Sequence, residues 1–328
     1  AFAAFQIALT LYPSWSFASR LLAECVASQG RFADEADVLQ QALRHDSADA
    51  ILHGWLADAH KHNQQPAAAI VSLQRAVALD PDYIWAWRLW LELSEQEESS
   101  RQLLEQTAQA AVDAHRFAVG PLRILAECVE DAAQKLGYLQ QAIARQPHND
   151  SVHHELLVQQ LELGHYTEVF AHLAQYYPTE RPLLLLELQA RAHAETGQLQ
   201  AAAQVLAQYL RHAHADTWYY RKLFGLLEQL KDQKQLAEFA LLLIEREPHD
   251  ATALCRAGEA LEGLKLTQYH QHITDSYQRA FALSPADQYI GLTLIDWLQQ
   301  QKDWPAADAA LAQLWQFSQD GWVLSRKV

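Results

Sequence analysis

The stretch Ala69-Ile70-Val71-Ser72-Leu73-Gln74-Arg75-Ala76-Val77-Ala78-Leu79-Asp80-Pro81 decides the fold. Ala69, Leu73 and Ala76 recur at helical spacing and share one face. The stretch ends on a proline, which cannot donate the next helical hydrogen bond. The same pattern opens the chain as Ala1-x3-Phe5-x2-Ala8-x4-Pro13, so Pro13 and Pro81 stand 68 residues apart, twice 34. At the midpoint, Leu39-x2-Ala42-x4-Ser47 keeps the frame without the proline. Leu139-x2-Ala142-x4-Pro147 and Tyr277-x2-Ala280-x4-Pro285 continue it, and Pro248 ends another such helix.

A second half-pattern lies between these stretches. Leu22-Ala23-x2-Val26 is followed by Gly30 and Phe32, and Leu56-Ala57-x2-His60 follows the next boundary. Leu161-x2-Gly164-x-Tyr166, Gly197-x-Leu199 and Trp304-x2-Ala307-x3-Leu311 mark later turns between helices. Together the two halves resemble the tetratricopeptide repeat, a helix–turn–helix unit of 34 residues. The resemblance implies an all-α, right-handed solenoid of stacked antiparallel helix pairs, with about nine degenerate repeats in a single array over residues 1–328. The first repeat contributes only its second helix. Residues 91–120 are the weakest segment, because Glu97-Glu98-Ser99-Ser100 interrupts the frame, and residues 262–276 carry a few extra positions. Small residues let paired helices approach closely, so Ala8, Ala42, Ala76 and Ala142 are expected at close helix contacts.

Composition agrees with helix throughout. Half of the 328 residues are hydrophobic, with 11 glycines and 10 prolines. The net charge is −15, from 40 acidic against 25 basic residues, which disfavours nucleic acid as a general partner. No run reaches the roughly 18 apolar residues of a membrane span. Cys25, Cys128 and Cys255 are too few and too far apart for a disulfide framework or a zinc pattern, and reduced thiols favour the cytoplasm. The chain has no methionine and begins abruptly, so it reads as a fragment from which an upstream signal, anchor or further domain could be missing.

The chemistry-bearing residues recur in the same frame. Leu21-Leu22-Ala23-Glu24-Cys25-Val26 returns as Ile124-Leu125-Ala126-Glu127-Cys128-Val129, with an arginine before each, Arg20 and Arg123. Arg88, with Glu92, lies between them, and Arg221 continues the series with Gly225 where the glutamate stood. In the resembled family the first helices line a concave groove, which would set Arg20, Arg88, Arg123 and Arg221 as a track for Asp or Glu side chains of a bound peptide. The plainer alternative is that each arginine pairs with the glutamate four residues on, a contact worth about 0.3–0.5 kcal/mol when exposed. The family's carboxylate-clamp subset uses Lys and Asn at groove positions, which are absent here. Trp85, Trp87 and Trp90 form one aromatic cluster and Trp218, Tyr219 and Tyr220 another; neither can point all its rings one way. Trp85 and Trp218 are the candidate anchors.

His60 with His62, His153 with His154, and His270 with His272 lack the i, i+4 spacing of helical metal ligands. There is no glycine-rich phosphate loop and no nucleophile elbow. The expectation is therefore a protein-interaction scaffold with no catalysis, cofactor or metal of its own, binding a protein or peptide in the groove. The rival is the substrate-docking arm of a larger enzyme, since similar arrays precede glycosyltransferase and sulfotransferase domains. A helical-repeat subunit like that of the protein prenyltransferases is a third reading, which the 34-residue period disfavours.

Overall fold

The computed structural model describes residues 2–95, 98–212, 217–246 and 249–317. Pro248, read above as a helix end, lies outside them, as do Ala1 and Glu97. The described residues form nineteen α-helices and one short 3-10 helix, with no strand among them. They fall into two compact units, residues 1–165 and 166–328.

In unit 1, second helices alternate with first helices. The second helices are α1 (Phe2–Leu11), α3 (Phe32–His45), α5 (Pro66–Leu79), α7 (Glu98–Ala114) and α9 (Ala132–Arg145). The first helices are α2 (Ser16–Ala27), α4 (Ala50–His62), α6 (Ile84–Leu93), α8 (Gly120–Cys128) and α10 (Asp150–Glu162). Unit 2 continues the alternation with second helices α11 (Tyr166–Tyr176), α13 (Leu199–His212), α15 (Gln233–Arg246), α17 (His270–Leu283) and α19 (Trp304–Phe317). Its first helices are α12 (Leu183–Glu195), α14 (Thr217–Gln229), α16 (Ala251–Gly263) and α18 (Gln288–Gln300). First helices begin at positions 16, 50 and 84 in unit 1 and at 183, 217 and 251 in unit 2, each step being 34 residues.

The two expected irregularities are visible. Around residues 91–120, α6 and α8 shorten to 10 and 9 residues while α7 lengthens to 17. The displaced α8 is fixed from afar: Asp82 Oδ1 accepts the N–H groups of Val119 and Gly120, each at 2.7 Å. A carboxylate on a helix N-terminus satisfies orphan donors and complements the helix dipole. Gly120 is required there because a Cβ would run into the backbone carbonyl oxygen of Pro81. In residues 262–276 the extra positions form the 3-10 helix Thr267–Tyr269, which delays α17.

The turn from first to second helix repeats one backbone device. Gly30, Gly164 and Gly197, and also Gln64, Lys231, Lys265 and Lys302, have φ between 56° and 74°. The residue after Gln64, Gly164, Gly197, Lys231 and Lys302 donates its N–H to the carbonyl five residues back, at 2.8–2.9 Å. This left-handed closure satisfies a helix end that would otherwise stay open. The return turn is closed by N-cap side chains of Asp49, Asn149, Asp250 and Asp287. Arginines at two second-helix ends reach back to the preceding second helix. Arg145 donates to the carbonyls of Val112, His115 and Ala118 beyond α7, and Arg246 to those of Leu210 and Arg211 in α13.

Ala42, Ala76 and Ala142 are buried at helix contacts, as expected. Ala8 is only half-buried, because α1 packs against α2 and no described helix precedes it. In unit 2 the buried apolar side chains form one continuous core from Ala190 to Leu314.

Candidate functional site on the first helices

Successive first helices touch: α2 meets α4, α4 meets α6, and α6 meets α8; in unit 2, α14 meets α16 and α16 meets α18. Long side chains on one first helix therefore reach the next.

In unit 1 this spacing carries a ladder of charge. Lys61 Nζ on α4 donates to Glu92 Oε1 on α6 at 2.7 Å. Arg88 on α6 donates through Nε and Nη2 to Glu127 Oε1 on α8, at 2.8 and 2.6 Å, and from Nη2 to Glu155 Oε1 on α10 at 2.8 Å. Arg123 on α8 embraces both oxygens of Glu155, at 2.9 and 2.6 Å. The within-helix pairs Arg88–Glu92 and Arg123–Glu127 are not made. Each of those glutamates is taken by a cation of the preceding first helix, because parallel neighbours allow the two-armed geometry that guanidinium and carboxylate favour. Hydrogen bonding to Glu127 holds the Arg88 guanidinium above its usual range. The network borders a cleft of about 380 Å³ that also includes Lys135, His154 and Gln159.

Arg20 stands outside this network. Its guanidinium lies 5.1 Å over the Trp55 ring of α4, and its buried Nε has no hydrogen-bond partner. Of the first aromatic cluster, Trp87 and Trp90 are buried in the core while Trp85 is 42% exposed. Tyr83 and Trp85 stack at 5.8 Å and cover Gly54 of α4, where a Cβ would come within 2.7 Å of the Tyr83 ring.

Unit 2 arranges the same positions differently. Tyr220 is buried, and Trp218 is 42% exposed with Lys222 Nζ 5.1 Å over its ring. Arg221 is exposed and has no ion pair among the described residues. Gly225 occupies the place that Glu92 and Glu127 fill in unit 1, and a Cβ there would meet nothing within 4 Å. Between α12, α13 and α14 opens a cleft of about 390 Å³, lined by Glu187, Arg191, Trp218, Arg221, Lys222 and Gly225 among others. Burial pushes the Glu187 carboxyl upward, against the pull of Arg191. On α16, Arg256 pairs with Glu259 within its own helix at 2.8 Å, and the Tyr289 hydroxyl of α18 donates to the same glutamate.

Of the residues singled out in the sequence, Arg88 and Arg123 thus meet on Glu155, and Arg221 and Trp218 share a cleft. Sequence reasoning missed Glu155 and Arg191, which sit off the recurring Arg-x3-Glu frame. It also missed three side chains that tie first helices to the turn before them. The His53 and His153 Nε2 atoms and Trp87 Nε1 lie 3.2, 2.9 and 2.9 Å from the carbonyls of Ser47, Pro147 and Pro81. Each is six residues beyond its partner, a spacing that would have flagged them. Among the described residues no three His, Cys, Asp or Glu side chains converge as a metal site, and no helix is long and apolar enough to cross a membrane.

No protein-family model matches the chain, and no curated protein does. Among solved structures, a chain of the Naa15/Naa10 structure bound to HypK-THB is similar over 99% of this chain and 62% of its own length, at 15% identity and TM-score 0.36. A thermophilic TPR protein of Thermus thermophilus is similar over 63% of this chain and 95% of its own, at 18% identity and TM-score 0.34. A tetratricopeptide repeat protein from Parabacteroides merdae is similar over 83% of this chain and 94% of its own, at 11% identity and TM-score 0.37. By its own helix order and 34-residue spacing, the chain is a helical-repeat protein of the tetratricopeptide type.

Proposed function

We propose that this chain is a protein-interaction scaffold that holds an extended segment of a partner along its first helices and performs no chemistry itself. The observation that supports it most is the pair of clefts beside first helices, one with exposed Trp218 and an unpaired Arg221 at its rim. An aromatic ring and a guanidinium on a rigid frame are the usual anchors of a binding surface. Helix-borne positions also lose little freedom on binding. The likeness to a chain solved with a bound partner, HypK-THB, is in keeping with this role.

The test is photo-crosslinking from single sites. A crosslinker at Trp85 or Trp218, on first helices, should capture the same partner, and one at Val71, exposed on second helix α5, should not. Capture from Val71 alone would move the partner to the other face and end this reading.

A further inference from the structure

The ladder of unit 1 has a missing rung in unit 2. On α6 and α8 the carboxylate four residues beyond the arginine accepts a cation from the preceding first helix. On α14 that carboxylate is replaced by Gly225, and the space it would fill is open. The cations remain around the gap: Arg221 on the same helix, Arg191 on the preceding first helix, and Lys222 over the Trp218 ring. We infer that the cleft between α12 and α14 takes a carboxylate supplied from outside, an Asp or Glu side chain in an extended partner segment, with an apolar neighbour of that residue resting on Trp218. This rests on the reading of the chain as a holder of partner segments.

Charge and shape both favour that occupant. Glu187, four residues before Arg191, balances that arginine, but nothing among the described residues plays the same part for Arg221. A guanidinium accepts a carboxylate through two parallel hydrogen bonds, and the cleft wall of Ala190, Leu206 and Leu226 excludes water from one side of the contact. A basic segment would instead bring a like charge beside Arg221 and Lys222. In a chain with a net charge of −15, such a place is also selective: an acidic segment is repelled elsewhere and held here.

Titration calorimetry on the full chain tests this. The probes are a short capped peptide of alternating leucine and glutamate and its glutamine counterpart. The glutamate peptide should bind about tenfold or more tightly than the glutamine one, the ratio that about 1.4 kcal/mol represents. Gly225→Glu restores the rung from within, so it should weaken the glutamate peptide by a similar factor while helicity by circular dichroism stays unchanged. Arg221→Ala should do the same and Arg221→Lys less, while Arg31→Ala, in the turn before α3, should change nothing. Equal binding of both peptides, binding of neither, or full binding by Gly225→Glu would overturn the inference. The wider reading fails separately, by its crosslinks. A partner that crosslinks to first helices yet is retained by Gly225→Glu removes the carboxylate site and leaves the scaffold.

Discussion

In unit 1, Arg88, Arg123, Glu127 and Glu155 fasten three first helices to one another, and His53, Trp87 and His153 fasten first helices to their turns. In unit 2 the matching places hold Gly225, Leu254 and Gly291, and the apolar core runs unbroken from Ala190 to Leu314. One backbone repeat is thus held in two ways, by polar cross-links in the first unit and by a continuous core in the second. The difference also decides what is free to bind. Polar groups satisfied within the fold gain little from a ligand, because a new contact only replaces an old one. The first-helix cations of unit 1 are spent in this way, whereas Arg221 is not.

The comparison breaks most sharply at two glycines. Gly120→Ala forces a methyl group into the Pro81 carbonyl and should cost about 3 kcal/mol, while Gly225→Ala, in open space within a helix, should stabilise by about 0.5–1 kcal/mol. Thermal unfolding of both variants gives the two signs directly, and a neutral Gly120→Ala would show that α8 is not docked as described.

The next effect is a pH dependence confined to unit 1. Glu35 on α3 is 2% exposed, and burial, with Asp58 adding to it, raises its carboxyl to about 7. The folded state then keeps a proton that the unfolded chain releases near its ordinary value of 4.5, so stability falls as pH rises from there to about 7 and then levels. Glu35→Gln should gain about 2 kcal/mol over the parent at pH 8 and little at pH 4, each pKa unit being worth 1.36 kcal/mol. Equal gains at the two pH values would remove this carboxyl from the account.

Third, Glu155→Gln withdraws the charge that Arg88 and Arg123 share and should cost about 1.5 kcal/mol. Hydrogen exchange should quicken in α8 and α10 and stay unchanged from α14 onward. Protection lost equally in both units would mean that the cross-links are not local to the first.

The smallest effect concerns the left-handed turns, where unit 1 uses glycine at two of three and unit 2 uses lysine at three of four. Lys231→Gly and Lys302→Gly should each stabilise by about 1 kcal/mol, and Gly164→Ala should cost about as much, because a Cβ crowds this conformation. Chemical denaturation midpoints measure all three.

The fold was legible because its signals are local. Alanine and proline at fixed spacing mark each second helix, and even the drift at 91–120 and the insertion at 262–276 are local breaks of a local period. The packing of the aromatic clusters was legible in the same terms, since residues one and two positions apart cannot share a helix face. The partners of the arginines were not. Arg88 reaches Glu127 and Glu155 across hairpins, and nothing in the residues flanking Arg88 distinguishes those glutamates from Glu92. Asp82 capping α8 was hidden for the same reason. Distant pairings depend on where the repeats set the helices side by side, a property of the stack and not of the period.

Arg145 and Arg246 give the stack a direction in time. Arg145 is the last residue of α9, yet the carbonyls it closes belong to the end of α7; Arg246 at the end of α15 does the same for α13. A chain made from its N-terminus therefore finishes these second helices one repeat late. While α8 and α9 are still being synthesised, the carbonyl end of α7 is bare, and it closes only when Arg145 has emerged. An array shortened just before such an arginine would keep that unfinished end permanently.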